Sequence, residues 1–222
     1  MGGGTVSVEK KFEIVVTDLS KHFRETQALK HINLRFEGGR IYGLVGRNGS
    51  GKTVLLKCIC GLLYPSEGYV SVNGKIIGKE IDFSENIGFI IEQPGFLHQY
   101  SGLKNLKLLS GLRRKADKEV LKMWMKKVGL NPNSRKPVGK YSMGMKQRLG
   151  WAQVLMEEPD IIILDEPFNG LDERGVEEFR KLLLDFKAEG KLVILSSHSK
   201  EDIQILCDEI VRLDQGELML LE

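Results

Sequence analysis

Hydrophobic positions change their spacing twice along the chain. Short runs rich in branched and aromatic residues predict strands at 12–17, 32–36, 69–72 and 87–91. The run at 41–45 is apolar and leads into a glycine, as a buried parallel strand does. Glu37-Gly38-Gly39-Arg40 before it is a turn signal. Helical apolar spacing follows over 51–60, ended by Gly61 and Pro65. From about 100 to 157 the chain offers no good strand. Leu, Lys and Met recur there with a helical period, predicting helices at 103–112, 118–128 and 145–156. Asn131-Pro132-Asn133 and Lys136-Pro137 separate them. Strand and helix then alternate: a strand at 161–164, a helix at 173–188 capped by Gly190, a strand at 192–195 and a helix at 201–206. Strands at 210–213 and 217–221 can pair across Asp214-Gln215-Gly216. Alternation of this kind predicts an α/β fold with a mostly parallel sheet covered by helices. The chain is read as one domain over 1–222: an α/β core from 12–98 and 158–222, and an inserted helical lobe at about 99–157.

Composition narrows the class. Of 222 residues, 41% are apolar and 28% charged, a globular balance. The net charge is +3, with Lys and Arg read as spread along the whole chain, so a solvated mixed-charge surface is expected and no nucleic-acid partner. Cys58, Cys60 and Cys207 are odd in number and share no spacing, so they are expected as reduced, mostly buried thiols of a cytoplasmic protein. No run approaches the about 18 apolar residues that span a bilayer. Met1-Gly2-Gly3-Gly4-Thr5-Val6 lacks a signal-peptide apolar region, and Val6 breaks the myristoylation pattern. A membrane role would need another subunit to provide the span. The chain ends soon after its last expected strand, so no regulatory extension is expected.

Gly46-Arg47-Asn48-Gly49-Ser50-Gly51-Lys52-Thr53 fits G-x-x-x-x-G-K-[ST], between an expected strand and an expected helix, as the motif requires. Glycines let the backbone curl without Cβ clashes. Successive N–H groups then form an anion nest at the positive end of a helix. Lys52 is expected to reach the β- and γ-phosphates of a nucleoside triphosphate, and the Thr53 hydroxyl to bind Mg²⁺. These eight residues, with Val54, are the expected nucleotide-binding set. The second half of the site is Ile161-Ile162-Ile163-Leu164-Asp165-Glu166. A strand apolar on both faces is central. It delivers two carboxylates at its C-terminal end, where α/β sheets bind ligands. Asp165 is expected in the Mg²⁺ shell, and Glu166 as general base for the attacking water.

With these motifs in place, the chain resembles the nucleotide-binding domain of the ATP-binding cassette (ABC) superfamily from about Glu13 to the C-terminus. The resemblance implies a P-loop ABC ATPase fold, with an antiparallel β subdomain and a helical lobe beside the parallel core. The signature of that family, Leu-Ser-Gly-Gly-Gln, corresponds to Tyr141-Ser142-Met143-Gly144-Met145, followed by Lys146-Gln147-Arg148. The segment Ser142, Met143, Gly144, Met145 would face the γ-phosphate held by a second subunit; an ordinary helix N-cap at Ser142 is the alternative. Phe168-Asn169-Gly170-Leu171-Asp172 resembles the D-loop, which crosses the dimer interface. Ser196-Ser197-His198 resembles the switch histidine segment, giving His198 a γ-phosphate contact. Ser20-Lys21-His22-Phe23 resembles the adenine-stacking segment, with Phe23 stacking on the base or packing in the core. The family places a glutamine as Mg²⁺ and γ-phosphate sensor where this chain has Glu92, with Gln93 next to it. That glutamate, Ile91-Glu92-Gln93-Pro94-Gly95-Phe96, and the stretch from Ser142 through Gly150 are similar to the ATPase subunits of bacitracin-resistance and lantibiotic self-protection exporters.

The resemblance further implies ATP and Mg²⁺ as ligands, a head-to-tail dimer with a second such domain, and a separate transmembrane permease. The protein would then sit in the cytoplasm at the inner membrane face. Phe96, Leu97 and Tyr100 are expected to be exposed and to line a groove for a permease helix, or else to pack the lobe. A DNA- or ribosome-acting ATPase is disfavoured by the lack of heptads, CxxC pairs and a second cassette. A P-loop kinase would leave Ser142 to Arg148 and His198 unexplained. An ATP-gated module that hydrolyses poorly is the remaining alternative.

Overall fold

The computed structural model describes residues 12–83, 86–92, 94–112 and 116–219. Two sheets face each other. Strands β1 (Glu13–Phe23), β2 (Thr26–Glu37), β4 (Glu67–Val72) and β5 (Lys75–Ile76) form an antiparallel sheet in the order β2-β1-β4-β5. The larger sheet runs β10-β9-β3-β8-β7-β6. Its members are β3 (Ile41–Val45), β6 (Ile87–Ile90), β7 (Ile161–Asp165), β8 (Leu192–Ser196), β9 (Glu209–Asp214) and β10 (Glu217–Met219). All pairings are parallel except the β9–β10 hairpin.

The wholly apolar runs of β7 and β8 have a plain cause. Successive side chains point to opposite faces. Ile161 and Ile163, with Leu192 and Ile194, join the core shared with α1 (Lys52–Ile59) and the antiparallel sheet. Ile162 and Leu164, with Val193 and Leu195, join the core on the other side. There they pack with Trp151 of α4 (Met143–Leu155), Phe179 of α5 (Glu173–Ala188) and Ile203 of α6 (Lys200–Leu206). Each fully buried Ile or Leu contributes about 1.5–3 kcal/mol, so the central strands anchor the sheet. Between β6 and β7 lie α2 (Gly102–Ser110), α3 (Lys118–Lys127) and α4.

Several elements depart from the expected bounds. Strands expected at 12–17 and 32–36 are the ends of a long hairpin, β1 and β2. Irregular registers near Asp18 and His31, both with φ of 47°, break the alternation. The sequence pattern fades there for that reason. Helix α4 starts at Met143 rather than 145, because the Ser142 hydroxyl accepts from Met145 N at 3.2 Å and caps it. Residues 220 and 221 of the expected last strand, and the glycines at the N-terminus, lie outside the described residues. Of the two readings open for Phe96, Leu97 and Tyr100, Phe96 takes the packed one, at only 7% exposed and in the core, while Leu97 and Tyr100 are exposed. Cys58 and Cys60 are buried and Cys207 is half-buried. Burial pushes the Cys58 thiol up to about 11 and that of Cys207 up to about 12, so neither is a thiolate at neutral pH.

Candidate active site

The loop after β3 turns tightly enough to need its glycines. A Cβ on Gly46 would sit 2.3 Å from Leu213 O, and Gly51 has φ of 105° with Ala28 O 2.7 Å from its Cβ position. The loop opens α1, and Lys52, 7% exposed, folds back over it. Its ammonium donates to the carbonyls of Gly46 at 2.7 Å and Arg47 at 3.1 Å. The Ser50 hydroxyl is buried and makes no hydrogen bond. Arg47, Asn48 and Gly49 are exposed, and Val54 is half-buried on α1.

Strand β7 brings Asp165 to this loop. Thr53 Oγ1 donates to Asp165 Oδ2 at 2.7 Å, and Ser196 Oγ at the end of β8 donates to Asp165 Oδ1 at 2.5 Å. Ser196 also accepts from the Glu166 backbone N–H at 3.0 Å. Glu166 follows the strand with φ of 49°, a region that non-glycine residues rarely adopt. Such strain costs about 1–3 kcal/mol and collects at functional sites. Burial pushes its carboxyl above the ordinary glutamate value, opposed by His198. His198 Nε2 lies 3.3 Å from Glu166 Oε1, within charge-pairing distance, but Oε1 is buried and makes no hydrogen bond.

The turn after Glu166 is clamped from α4. Gln147 Nε2 and Trp151 Nε1 both donate to the Pro167 carbonyl, at 2.8 and 3.1 Å. Gly144 touches the next part of the same turn, since a Cβ there would meet Gly170 O at 2.6 Å. Met143, 60% exposed, lies over Gly170. Asn169 and Gly170 are exposed and Leu171 half-buried. Asp172 caps α5 by accepting from Gly175 N at 3.2 Å, and also accepts from Arg148 at 3.3 Å. Burial alone would raise the Asp172 carboxyl, but these bonds hold it below the ordinary aspartate value.

Glu92 stands apart from this arrangement. It has φ of 59°, is exposed, and pairs with Lys57 of α1 at 2.7 Å. Gln93 lies outside the described residues. Glu92, Met143, Asp165, Glu166 and Asn169 line one cavity of about 330 Å³. Phe23 ends β1 and is 43% exposed, so it does not pack in the core; the Lys21 ammonium is 5.2 Å from its ring centre.

The donor set suits a Mg-nucleotide. The cradle has no room for a Cβ at Gly46 or Gly51, a buried ammonium sits on loop carbonyls, and a hydroxyl–carboxylate pair of hard oxygens stands beside it. The profile of the ABC transporter family matches residues 29–169. The chain belongs to the ABC transporter family. This cassette is an ABC-type ATPase. It is 43% identical to the uncharacterized ABC transporter ATP-binding protein YybJ of Bacillus subtilis, over 92% of this chain and 94% of that one. It is 39% identical to the bacitracin transport ATP-binding protein BcrA of Enterococcus faecalis, over 94% of this chain and 68% of that one. The lantibiotic transport ATP-binding protein SrtF of Streptococcus pyogenes is 34% identical, over 92% of this chain and 88% of that one. In fold, the cassette matches a dimeric post-hydrolysis ATP-binding cassette bound to ADP and Pi, with a TM-score of 0.84 and 24% identity over 94% of this chain and 97% of that one. No described helix is long and apolar enough to cross a membrane.

The motifs located Asp165 and Glu166 but not what holds them. In the sequence Ser196 is only part of the histidine segment, and Gln147 only a flank of the signature. Trp151 carried no signal beyond core packing. Each acts through a fold-dependent contact with residues at least 16 positions away.

Proposed function

We propose that two copies of this cassette close on ATP and power the export of peptide antibiotics or drugs through a separate permease at the inner face of the cell membrane. The cargo class rests on the likeness to the bacitracin and lantibiotic transport proteins. The catalytic assignment rests on one observation: a half-buried Glu166 whose Oε1 makes no hydrogen bond, set beside the Thr53–Asp165 pair. His198 Nε2 lies 3.3 Å from that oxygen, and burial raises the carboxyl above the ordinary glutamate value, which suits a proton acceptor.

In this reading the loop N–H groups and Lys52 bind the triphosphate, and Lys52 exchanges its two carbonyl contacts for phosphate oxygens. Thr53 and Asp165 would hold Mg²⁺, with Glu92 a further candidate ligand. Bound there, the ion would neutralise charge on the β- and γ-phosphates. Ser196 fixes the Asp165 carboxylate and the Glu166 backbone together. Glu166 takes the proton of the attacking water, and His198 steadies the γ-phosphate. Phe23 stacks on the adenine. The exposed Ser142 and Met143 and the half-buried Gly144 and Met145, with Asn169 to Asp172, meet the second copy. That segment carries a helix N-terminus suited to an anion. Release of the γ-phosphate removes contacts across the interface, and the dimer opens.

The test is sedimentation of Glu166→Gln with and without Mg·ATP, beside the ATPase rate of the unaltered chain. A monomer that dimerises only with ATP, and an unaltered chain that releases phosphate without an added acceptor, is the expected result. Turnover that depends on an acceptor would replace this reading with a phosphotransferase.

A further inference from the structure

Charge in this molecule is not spread evenly, contrary to the expectation from its overall value. Residues 101–157 carry 14 Lys and Arg against 3 Asp and Glu. The remainder carries 19 against 27, so a helical region of net +11 is attached to a body of net −8. Asymmetry on this scale is a signal of interaction with a polyanion.

The fold gathers part of this charge in one place. Lys104 and Lys107 lie one turn apart on α2, and Lys118 and Lys122 one turn apart on α3. With Arg135 from the following loop they line a single groove of about 460 Å³, whose other walls include Ser101, Asn133 and Ser134. No carboxylate among the described residues lines it. Lys122 is bonded to Glu119 at 2.8 Å, and the Lys104 ammonium lies 5.0 Å from the Tyr100 ring centre. Lys107, Lys118 and Arg135 are exposed and make no ion pair among the described residues. Like charges held this close repel, and an outside anion relieves the repulsion.

We infer that this basic face docks on the anionic surface of a lipid bilayer. The inference rests on the proposed function only in that the cassette works at a membrane. The make-up of the face favours lipid over an acidic protein. Four of the five groove cations are lysines, compact point charges on flexible stems that suit a smeared negative surface. Readers of acidic peptides instead present arginine forks in fixed geometry. The lobe does contain one well-fixed arginine, Arg148, but it is spent on Val128 O, Asp172 and Glu178. Leu108, four residues after Lys104 and 44% exposed, adds an apolar side chain on the same stretch of helix, able to enter the headgroup boundary.

The experiment is co-sedimentation of the purified chain with vesicles of phosphatidylcholine, with and without phosphatidylglycerol, at low and high salt. Binding is expected only with phosphatidylglycerol and is expected to fall as salt rises. The triple variant Lys107→Glu, Lys118→Glu, Arg135→Glu should bind about a hundredfold more weakly, with thermal stability and ATPase rate retained. Lys75→Glu, Lys79→Glu, Lys181→Glu makes the same charge change on exposed residues elsewhere and should bind as the unaltered chain does. Equal binding to both vesicle types, an unaffected triple variant, or equal loss in the two triple variants would overturn the inference. So would tighter binding to soluble polyglutamate than to vesicles, which would make the partner an acidic chain. No permease is present in this assay, so its failure leaves the ATP-dependent dimer untouched.

Discussion

Strands β6 and β7 run side by side, and each is followed by a glutamate in left-handed backbone. Glu166 has φ of 49° and Glu92 φ of 59°. Both line the same cavity. Their surroundings are opposite. Glu166 is half-buried, its backbone is pinned by Ser196, and its Oε1 is left without a hydrogen bond. Glu92 is exposed, and among the described residues it pairs with Lys57 on α1. A buried, pinned carboxylate is pre-organised for a proton transfer. An exposed ion pair is held by little more than about 1 kcal/mol, so Glu92 can leave Lys57 when a better partner arrives. The same backbone device therefore serves a fixed position in one strand and a movable one in its neighbour.

The sharpest way to break this contrast is to make both glutamates into glutamine. Glu166→Gln should lower kcat by about 10²–10⁴, with nucleotide affinity nearly kept. Glu92→Gln should change the rate by less than about tenfold. Steady-state phosphate release and nucleotide titration on each variant measure both, and equal losses would erase the distinction. The pinning itself is next. Ser196→Ala strips a bond from Asp165 and another from the Glu166 backbone, and should lower stability by about 1–3 kcal/mol in a denaturant melt.

A third carboxylate extends the comparison to pH. Burial alone would raise Asp208, yet Lys187 and the Ile41 N–H hold it below the ordinary aspartate value. A lowered folded-state pKa stabilises the fold above the unfolded value and loses that effect as pH falls through the folded one. Asp208→Asn should therefore cost about 1 kcal/mol at neutral pH. The gap from the unaltered chain should close as the medium is acidified below about pH 4. The smallest effect is expected from Lys57→Met, under about 1 kcal/mol, as the Lys57–Glu92 pair lies at the surface.

What could be read from the sequence follows the reach of each interaction. The strand at 161–164 and the helix at 173–188 were legible because their periodicity is local and strong. Glycines at 46, 49 and 51 announced a loop whose shape depends on backbone freedom, which a motif records directly. The length of the β1–β2 hairpin was not legible, since irregular registers near Asp18 and His31 scramble the alternation a reader relies on. The sequence leaves the burial of Phe96 open because an aromatic in a polar loop looks the same whether it points in or out. Ser196, Gln147 and Trp151 escaped because a hydroxyl, an amide and an indole take their partners from across the fold. The gathering of Lys104, Lys107, Lys118, Lys122 and Arg135 escaped because net charge averages over a chain that the fold then sorts.

The Pro167 carbonyl has two lone pairs, and Gln147 and Trp151 take one each. Both donors stand on α4, one turn apart, and that helix begins at the segment expected to meet a second copy. Helix and turn are thereby joined like a crank and its pin, next to Glu166 in the chain. On the proposed reading, docking of a second copy at that end of α4 would bear on the turn that carries Glu166.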